Sequence, residues 1–314
     1  MQAFGSKCDD MISTLLQMAL IIACGAVWRT LQPAGLNAQQ TRLVVTSVVY
    51  YFLLPALILE VLWQATLGLE SLQYSFLAIS STVFAIVCSW IIGRLMRFQA
   101  AQMGTIILAA AFANVTFLGL PVLEQLFGPS SRSVVIQIDL FAISPFLYTF
   151  GIALVRHYGS EQQQGSQSVL GFLNAPPFWA ALLAVILNLN HVPAPIWLTA
   201  VLIKLSAAVV PLMLFSLGLA LSWKSIQWQQ LSYVLPVVLI KLLIMPGFAF
   251  AIVPQLTLTA PNQAVAVIDL AMPSMLMGIV LCDRYRLDSA LYAMLVSITT
   301  LLSVFTLPFW YRMI

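Results

Sequence analysis

Charge is what this sequence has least of. Asp, Glu, Lys and Arg make up 7% of its 314 residues and apolar types 61%, where a soluble domain carries about 25% charged residues. That deficit excludes an ordinary soluble globule and leaves a polytopic membrane protein. The formal net charge of +3 comes from few groups, so nothing indicates a nucleic-acid partner; where the charges fall matters more than their sum. Histidine is scarce as well: His157 and His191 are the only two, and they fall in loops assigned to opposite sides of the membrane. With no His-Glu-x-x-His, Gly-x-Ser-x-Gly or Walker loop, the chain has no evident nucleophile, metal-ligand set or nucleotide site. No enzyme activity and no cofactor are expected, and any active transport has to draw on an ion gradient or the membrane potential. The four cysteines, Cys8, Cys24, Cys88 and Cys282, show no paired spacing and read as packing residues. The N-terminus carries Lys7, Asp9 and Asp10 and no small-residue cleavage pattern follows the first apolar run, so a removed signal peptide is not expected.

What the chain has in abundance is apolar runs of about 20 residues, the length that crosses a hydrocarbon core of roughly 30 Å as a helix. Ten can be marked off, near 11–28, 43–63, 74–92, 103–127, 134–155, 170–189, 197–221, 231–253, 262–282 and 289–310. The expected fold class is therefore all-α and polytopic, with ten transmembrane helices.

One linker is polar for any length, Arg156 to Ser168 with its Glu-Gln-Gln-Gln-Gly-Ser run, and five runs lie on either side of it. The halves match weakly. Leu-Leu-Pro55-Ala-Leu-Ile-Leu has a counterpart in Val-Val-Pro211-Leu-Met-Leu-Phe, and Asn114, Gly119 and Glu124 parallel Ser274, Gly278 and Asp283, at offsets of 156 to 160 residues. Matches at half the chain length indicate an internal repeat: a first five-helix repeat over 1–156, a short central cytoplasmic loop over 157–168 and a second repeat over 169–314. Lys and Arg set the orientation. One side carries Arg29, Arg42, Arg94, Arg97, Arg156, Lys224, Arg284 and Arg286, the other only Lys7, Arg132 and Arg312, so both termini are expected on the non-cytoplasmic side. An odd number of spans per half makes the second repeat an inverted one, a plan shared by many secondary transporters.

Within the fourth run, Ala113-Asn-Val-Thr-Phe-Leu-Gly-Leu-Pro121 places an amide, a glycine and a proline where lipid offers no water to satisfy freed backbone groups. Asn114 lies about 16 Å along that helix, near the midplane. Pro273 and Ser274 fall at similar depth in the ninth run. If both helices unwind there they cross, and the half-helices that follow aim free N–H groups and partial positive charge inward, which suits a carboxylate. Two locally satisfied proline kinks are the alternative. Lys241, Asp269 and Asp139 lie at membrane depth, where each costs about 2.5 to 3.5 kcal/mol at a helix centre and so faces a cavity or a partner. Glu60, Glu124 and Lys204 lie near helix ends and read as solvated. The other prolines, Pro55, Pro145, Pro211, Pro236, Pro246 and Pro308, read as kinks, and Gly218 and Gly247 as sites of close packing. Trp197, Trp223, Trp228 and Trp310 read as interface anchors.

These motifs resemble one family over essentially the whole chain. Ala111-Phe-Ala-Asn-Val-Thr-Phe-Leu-Gly-Leu-Pro121 with Leu126-Phe-Gly128 and Asp139 is similar to the fourth and fifth spans of the auxin efflux carriers. Leu54-Pro-Ala-Leu57, Asn174-Ala-Pro-Pro177, the run Pro211 to Gly218, Lys241-Leu-Leu-Ile-Met-Pro246, Ala271-Met-Pro273 and the tail from Tyr285 to Pro308 match in the same order. The resemblance implies ten spans in two inverted repeats with the fourth and ninth helices crossing at their breaks, and it implies that Asn114 is the crossover asparagine. It also implies carriage of auxins or of malate, malonate and related anions. Plant members have asparagines flanking the second crossover proline where this chain has Met272 and Ser274, which counts against an auxin-like site.

The expected function is alternating-access transport of a small organic anion, a mono- or dicarboxylate, across the cytoplasmic membrane. The expected substrate site comprises Asn114, Val115, Thr116, Phe117, Gly119, Pro273, Ser274 and Met275, with Asp139, Lys241 and Asp269 as charge or coupling groups. The expected partners are that anion and the lipid bilayer; a coupling proton or sodium ion and a homodimer are left open. Two alternatives stand beside this reading: a sodium-coupled symporter of the bile-acid carrier type and a non-transporting membrane sensor.

Overall fold

A computed structural model of the chain describes residues 2–65, 67–159, 176–220 and 231–314; of these, the side chains of 2–16, 34, 220, 231, 283 and 284 are not described. The linker residues 160–168, Trp223, Lys224 and Trp228 lie outside the described residues, as does the Asn174–Ala175 half of its motif.

Every extended element among the described residues is helical. In chain order they are α1 (Gln2–Leu31), α2 (Ala38–Trp63), α3 (Leu69–Leu95), α4 (Ala100–Ala111), α5 (Val115–Phe127), α6 (Ser131–Tyr158), α7 (Pro176–Leu189), α8 (Ile196–Leu219), α9 (Ser232–Gln255), α10 (Ala260–Leu270), α11 (Gly278–Arg284) and α12 (Ser289–Met313). Six of them, α2, α3, α6, α8, α9 and α12, are long and apolar enough to cross a membrane. The fourth and ninth apolar runs are each divided in two, α4 with α5 and α10 with α11.

Proline shapes several of these helices in a consistent way. A π-helical turn ends two residues before Pro55, Pro121, Pro145 and Pro246, at Val49–Leu53, Val115–Gly119, Asp139–Ile143 and Ile240–Ile244. Proline has no N–H to donate, and its ring collides with the carbonyl four residues back. One extra residue in the turn relieves that collision and leaves the helix continuous.

The helices divide into two compact units. The first holds 1–67, 120–133 and 175–221, the second 68–119, 134–174 and 222–314. In the first, α1 and α8 approach until glycine meets backbone: a Cβ on Gly25 would overlap the Phe215 carbonyl, and one on Gly218 the Ile22 carbonyl. Small residues at such a crossing let apolar helices pack where lipid offers no hydrophobic drive to associate. Gly247 has no such neighbour, its would-be Cβ being 3.5 Å from the Trp310 ring. Glu60 and Glu124 are not simply solvated: both carboxylates pair with Arg132, with side chains 19% and 18% exposed. In the second unit, Phe84 of α3 stacks on Phe248 of α9 at 4.2 Å. Trp310 is buried there, not at an interface, and its Nε1 donates to the Leu242 carbonyl at 2.8 Å. Cys24 and Cys88 are free thiols.

Candidate functional site

The interruptions at Asn114 and at Pro273–Ser274 meet inside the second unit. Phe112 leaves α4 in extended conformation, and Ala113 forms an antiparallel β-bridge with Ser274. Two backbone bonds make the bridge: Asn114 N–H donates to the Pro273 carbonyl at 2.8 Å, and Met275 N–H to the Phe112 carbonyl at 3.1 Å. Unwound helices in an apolar interior leave backbone groups that need partners; here each break supplies the other's.

Side chains on both strands of the bridge have distinct tasks. Ser274 is fully buried, its Oγ donating to the Ala109 carbonyl at 2.7 Å while its N–H donates to Thr299 Oγ1 at 3.3 Å. It ties the second break to the end of α4 and to α12. Tyr292 of α12 donates its hydroxyl to the Met275 carbonyl at 2.9 Å, and Gly278, at the start of α11, faces the same ring so closely that a Cβ would collide with it. Asn114 differs. It is 2% exposed, and its side-chain Nδ2 has no hydrogen-bond partner. A buried amide donor left unpaired costs about 1 to 3 kcal/mol, so an acceptor supplied from outside the chain would be bound favourably there.

Asn114 lines a cavity of about 60 Å³, walled by Ala113 to Phe117, by Met275 to Met277, and by Asp139, Ile143, Ser144 and Leu147 of α6. The space holds a few waters or a small polar group. Among the described residues, the N–H groups of Val115, Thr116, Phe117, Leu276 and Met277 have no acceptor, as expected for the first turns after a break. The cavity wall is therefore rich in donors. Its one carboxylate, Asp139, accepts from the Thr116 hydroxyl and from Ser144 Oγ at 2.7 Å. The π-turn ahead of Pro145 makes the second contact, since residues five apart stack along it; the Ser144 N–H reaches back to the Asp139 carbonyl.

Lys241 and Asp269, both fully buried, stand outside the cavity wall. Lys241 Nζ donates to the Leu270 carbonyl at 3.2 Å and sits 3.1 Å from Met245 Sδ. Neither oxygen of the Asp269 carboxylate has a hydrogen-bond partner, and Oδ1 abuts Gly119, where any Cβ would overlap it. Lys241 and Asp269 attract one another across more than ion-pair distance. Of the expected site residues, Asn114, Val115, Thr116, Phe117, Met275 and Asp139 line one cavity; Pro273 and Ser274 hold the crossing behind it; Gly119, Lys241 and Asp269 form a buried cluster apart from it. Ser144, Thr299 and Tyr292 belong to the same construction and were not among the expected residues. Tyr292 and Thr299 fall in the tail from Tyr285 to Pro308 that the motifs mark, and Ser144 directly precedes Pro145.

Two broken helices pair through backbone beside a cavity in an all-helical chain with, among the described residues, six helices long and apolar enough to cross a membrane. The chain belongs to the family described as membrane transport protein, whose model matches residues 10–311, the auxin efflux carrier family that its motifs resemble. An uncharacterised transporter from Methanothermobacter thermautotrophicus is 30% identical over 306 residues, covering 95% of this chain and 96% of its own length. Another, from Methanocaldococcus jannaschii, is 24% identical over 285 residues, covering 88% of this chain and 91% of its own.

Proposed function

We propose that this protein is a secondary transporter of a small organic anion, a mono- or dicarboxylate such as malate or malonate, working by alternating access in the cytoplasmic membrane. The observation that carries the reading is Asn114, a residue of the cavity wall whose buried Nδ2 has no hydrogen-bond partner. A carboxylate brings two oxygens with several acceptor positions and no donor, the complement of that wall. Val115, Thr116, Phe117 and Met275 bound the anion, while Pro273 and Ser274 fix the geometry of the crossing. The architecture that goes with this reading is ten spans in two inverted five-helix repeats. Helices run long, long, long, broken, long from residue 2 to 158, the second half repeats the broken-then-long ending, and the breaks at Asn114 and Ser274 stand 160 residues apart. The excess of Lys and Arg on one side puts both termini on the non-cytoplasmic side.

The reading is tested by thermal shift of the purified protein against malonate, malate, succinate and indole-3-acetate. A ligand of the folded state raises apparent stability in proportion to its occupancy. At least one of these acids stabilises the protein, and Asn114→Ala weakens that effect at least tenfold. No stabilisation by any of them, or an undiminished effect in the variant, contradicts the site.

A further inference from the structure

Asp139 is the misfit in the cavity. The other polar residues of the wall bring donors: Asn114 holds an unpaired Nδ2, and Val115 to Phe117, Leu276 and Met277 stand at the two half-helix starts. Asp139 presents a carboxylate to the same space, bonded to the Thr116 hydroxyl of the anion-facing turn and to Ser144. Among the described residues no Lys, Arg or His lies within 4 Å of it. The charged groups of the elements packed in its unit bring no relief. Asp269 on α10 is an acid whose oxygens have no hydrogen-bond partner, Lys241 on α9 donates to the Leu270 carbonyl, and Glu70 on α3 is bonded by Tyr74 and Asn262. An anionic substrate in a cavity of about 60 Å³ comes within a few ångströms of this carboxylate. Two carboxylates sharing so small a low-dielectric site retain one proton between them.

From this we infer that Asp139 is the proton-coupling group of the transporter: the cavity takes up the organic anion together with one proton on the Asp139 carboxyl and releases the two together. The inference rests on the carboxylate reading given above. The chemistry balances simply. On entry of the anion one O–H bond forms at Asp139, with the proton drawn from the aqueous phase on that side. The neutral carboxyl then offers a donor to the anion in place of a repelling charge, and on the far side the proton leaves with the anion. Asp139, Thr116 and Ser144 stay hydrogen-bonded throughout, so the carboxyl keeps its place between turns of α5 and α6.

The test is proton uptake on malonate binding to the full-length purified protein, measured by calorimetry in buffers of different ionisation enthalpy between pH 5.5 and 8.5. The expected result is net uptake approaching one proton per malonate at the alkaline end, with Kd weakening up to tenfold per pH unit there. Asp139→Asn abolishes both the uptake and the pH dependence of Kd. Binding with no proton uptake at any pH overturns the coupling and leaves the carboxylate site standing, as does binding that requires sodium. Wild-type uptake persisting in Asp139→Asn overturns the assignment to Asp139. Failure of malonate, malate, succinate and indole-3-acetate alike to bind at any pH overturns the carboxylate reading, and the coupling with it.

Discussion

The backbone N–H of Asn114 donates to the Pro273 carbonyl at 2.8 Å while the side-chain Nδ2 of the same residue is left without a partner. The main chain of this residue holds the crossing, while its buried side-chain amide keeps a donor unspent. Asn114→Ala is expected to fold and insert as the wild type does, because the bridge to Pro273 needs no side chain. Its substrate affinity falls at least tenfold, since a hydrogen bond to a charged group contributes about 1.5 to 3 kcal/mol. Circular dichroism and thermal melting of the ligand-free variant, set beside its Kd, check both halves.

Ser274 should behave in the opposite way. Its hydroxyl lies behind the cavity and donates to the Ala109 carbonyl, so Ser274→Ala strands a buried acceptor and costs about 1 to 3 kcal/mol of stability. The expected signature is a lowered melting temperature with the order of preference among carboxylates unchanged. A shift in that order at constant stability would show that Ser274 touches substrate.

Gly119 has no room for a side chain. The Asp269 carboxylate occupies the position of its absent Cβ, and Gly119→Ala is expected to destabilise the protein by about 1 to 3 kcal/mol through overpacking. Melting of Gly119→Ala beside the double variant Gly119→Ala/Asp269→Ala checks the cause: shortening residue 269 should restore part of the loss.

Lys241 and Asp269 are a buried base and a buried acid farther apart than an ion pair. Removing one alone leaves the other uncompensated, a loss of about 3 to 5 kcal/mol where such pairs have been broken. Lys241→Met and Asp269→Asn should each destabilise strongly, and the double variant by much less than their sum. Additive losses in a double-mutant cycle would mean that the two charges are not coupled.

Much of this was legible in the sequence, for physical reasons that differ between features. The breaks show because Asn114, Gly119, Pro121 and Pro273 are poor companions for a helix in lipid, and their spacing at half the chain length ties them into a pair. Asp139, Lys241 and Asp269 show because a charge in an apolar run is costly wherever it points. Direction is what the sequence cannot carry. That Ser274 bonds Ala109 and Thr299 while Asn114 Nδ2 finds no partner depends on α4 and α12 arriving from distant parts of the chain. That Arg132 gathers Glu60 and Glu124, instead of each glutamate reaching water, depends on a contact spanning 72 residues. The π-turns fall between these cases. Four are placed by a proline that is plain in the sequence, yet the turn at Leu147–Gly151 has none after it, and prolines 211, 236 and 308 sit in helices with no such turn described beside them.

The central claim, that the cavity at Asn114 is where an organic anion is carried, is tested most directly by counterflow of radiolabelled malonate in proteoliposomes preloaded with the unlabelled acid. Wild-type protein should accumulate label transiently, and Asn114→Ala, reconstituted at equal density and equally folded, should fall to the level of empty liposomes. Counterflow by Asn114→Ala equal to that of the wild type would contradict the account.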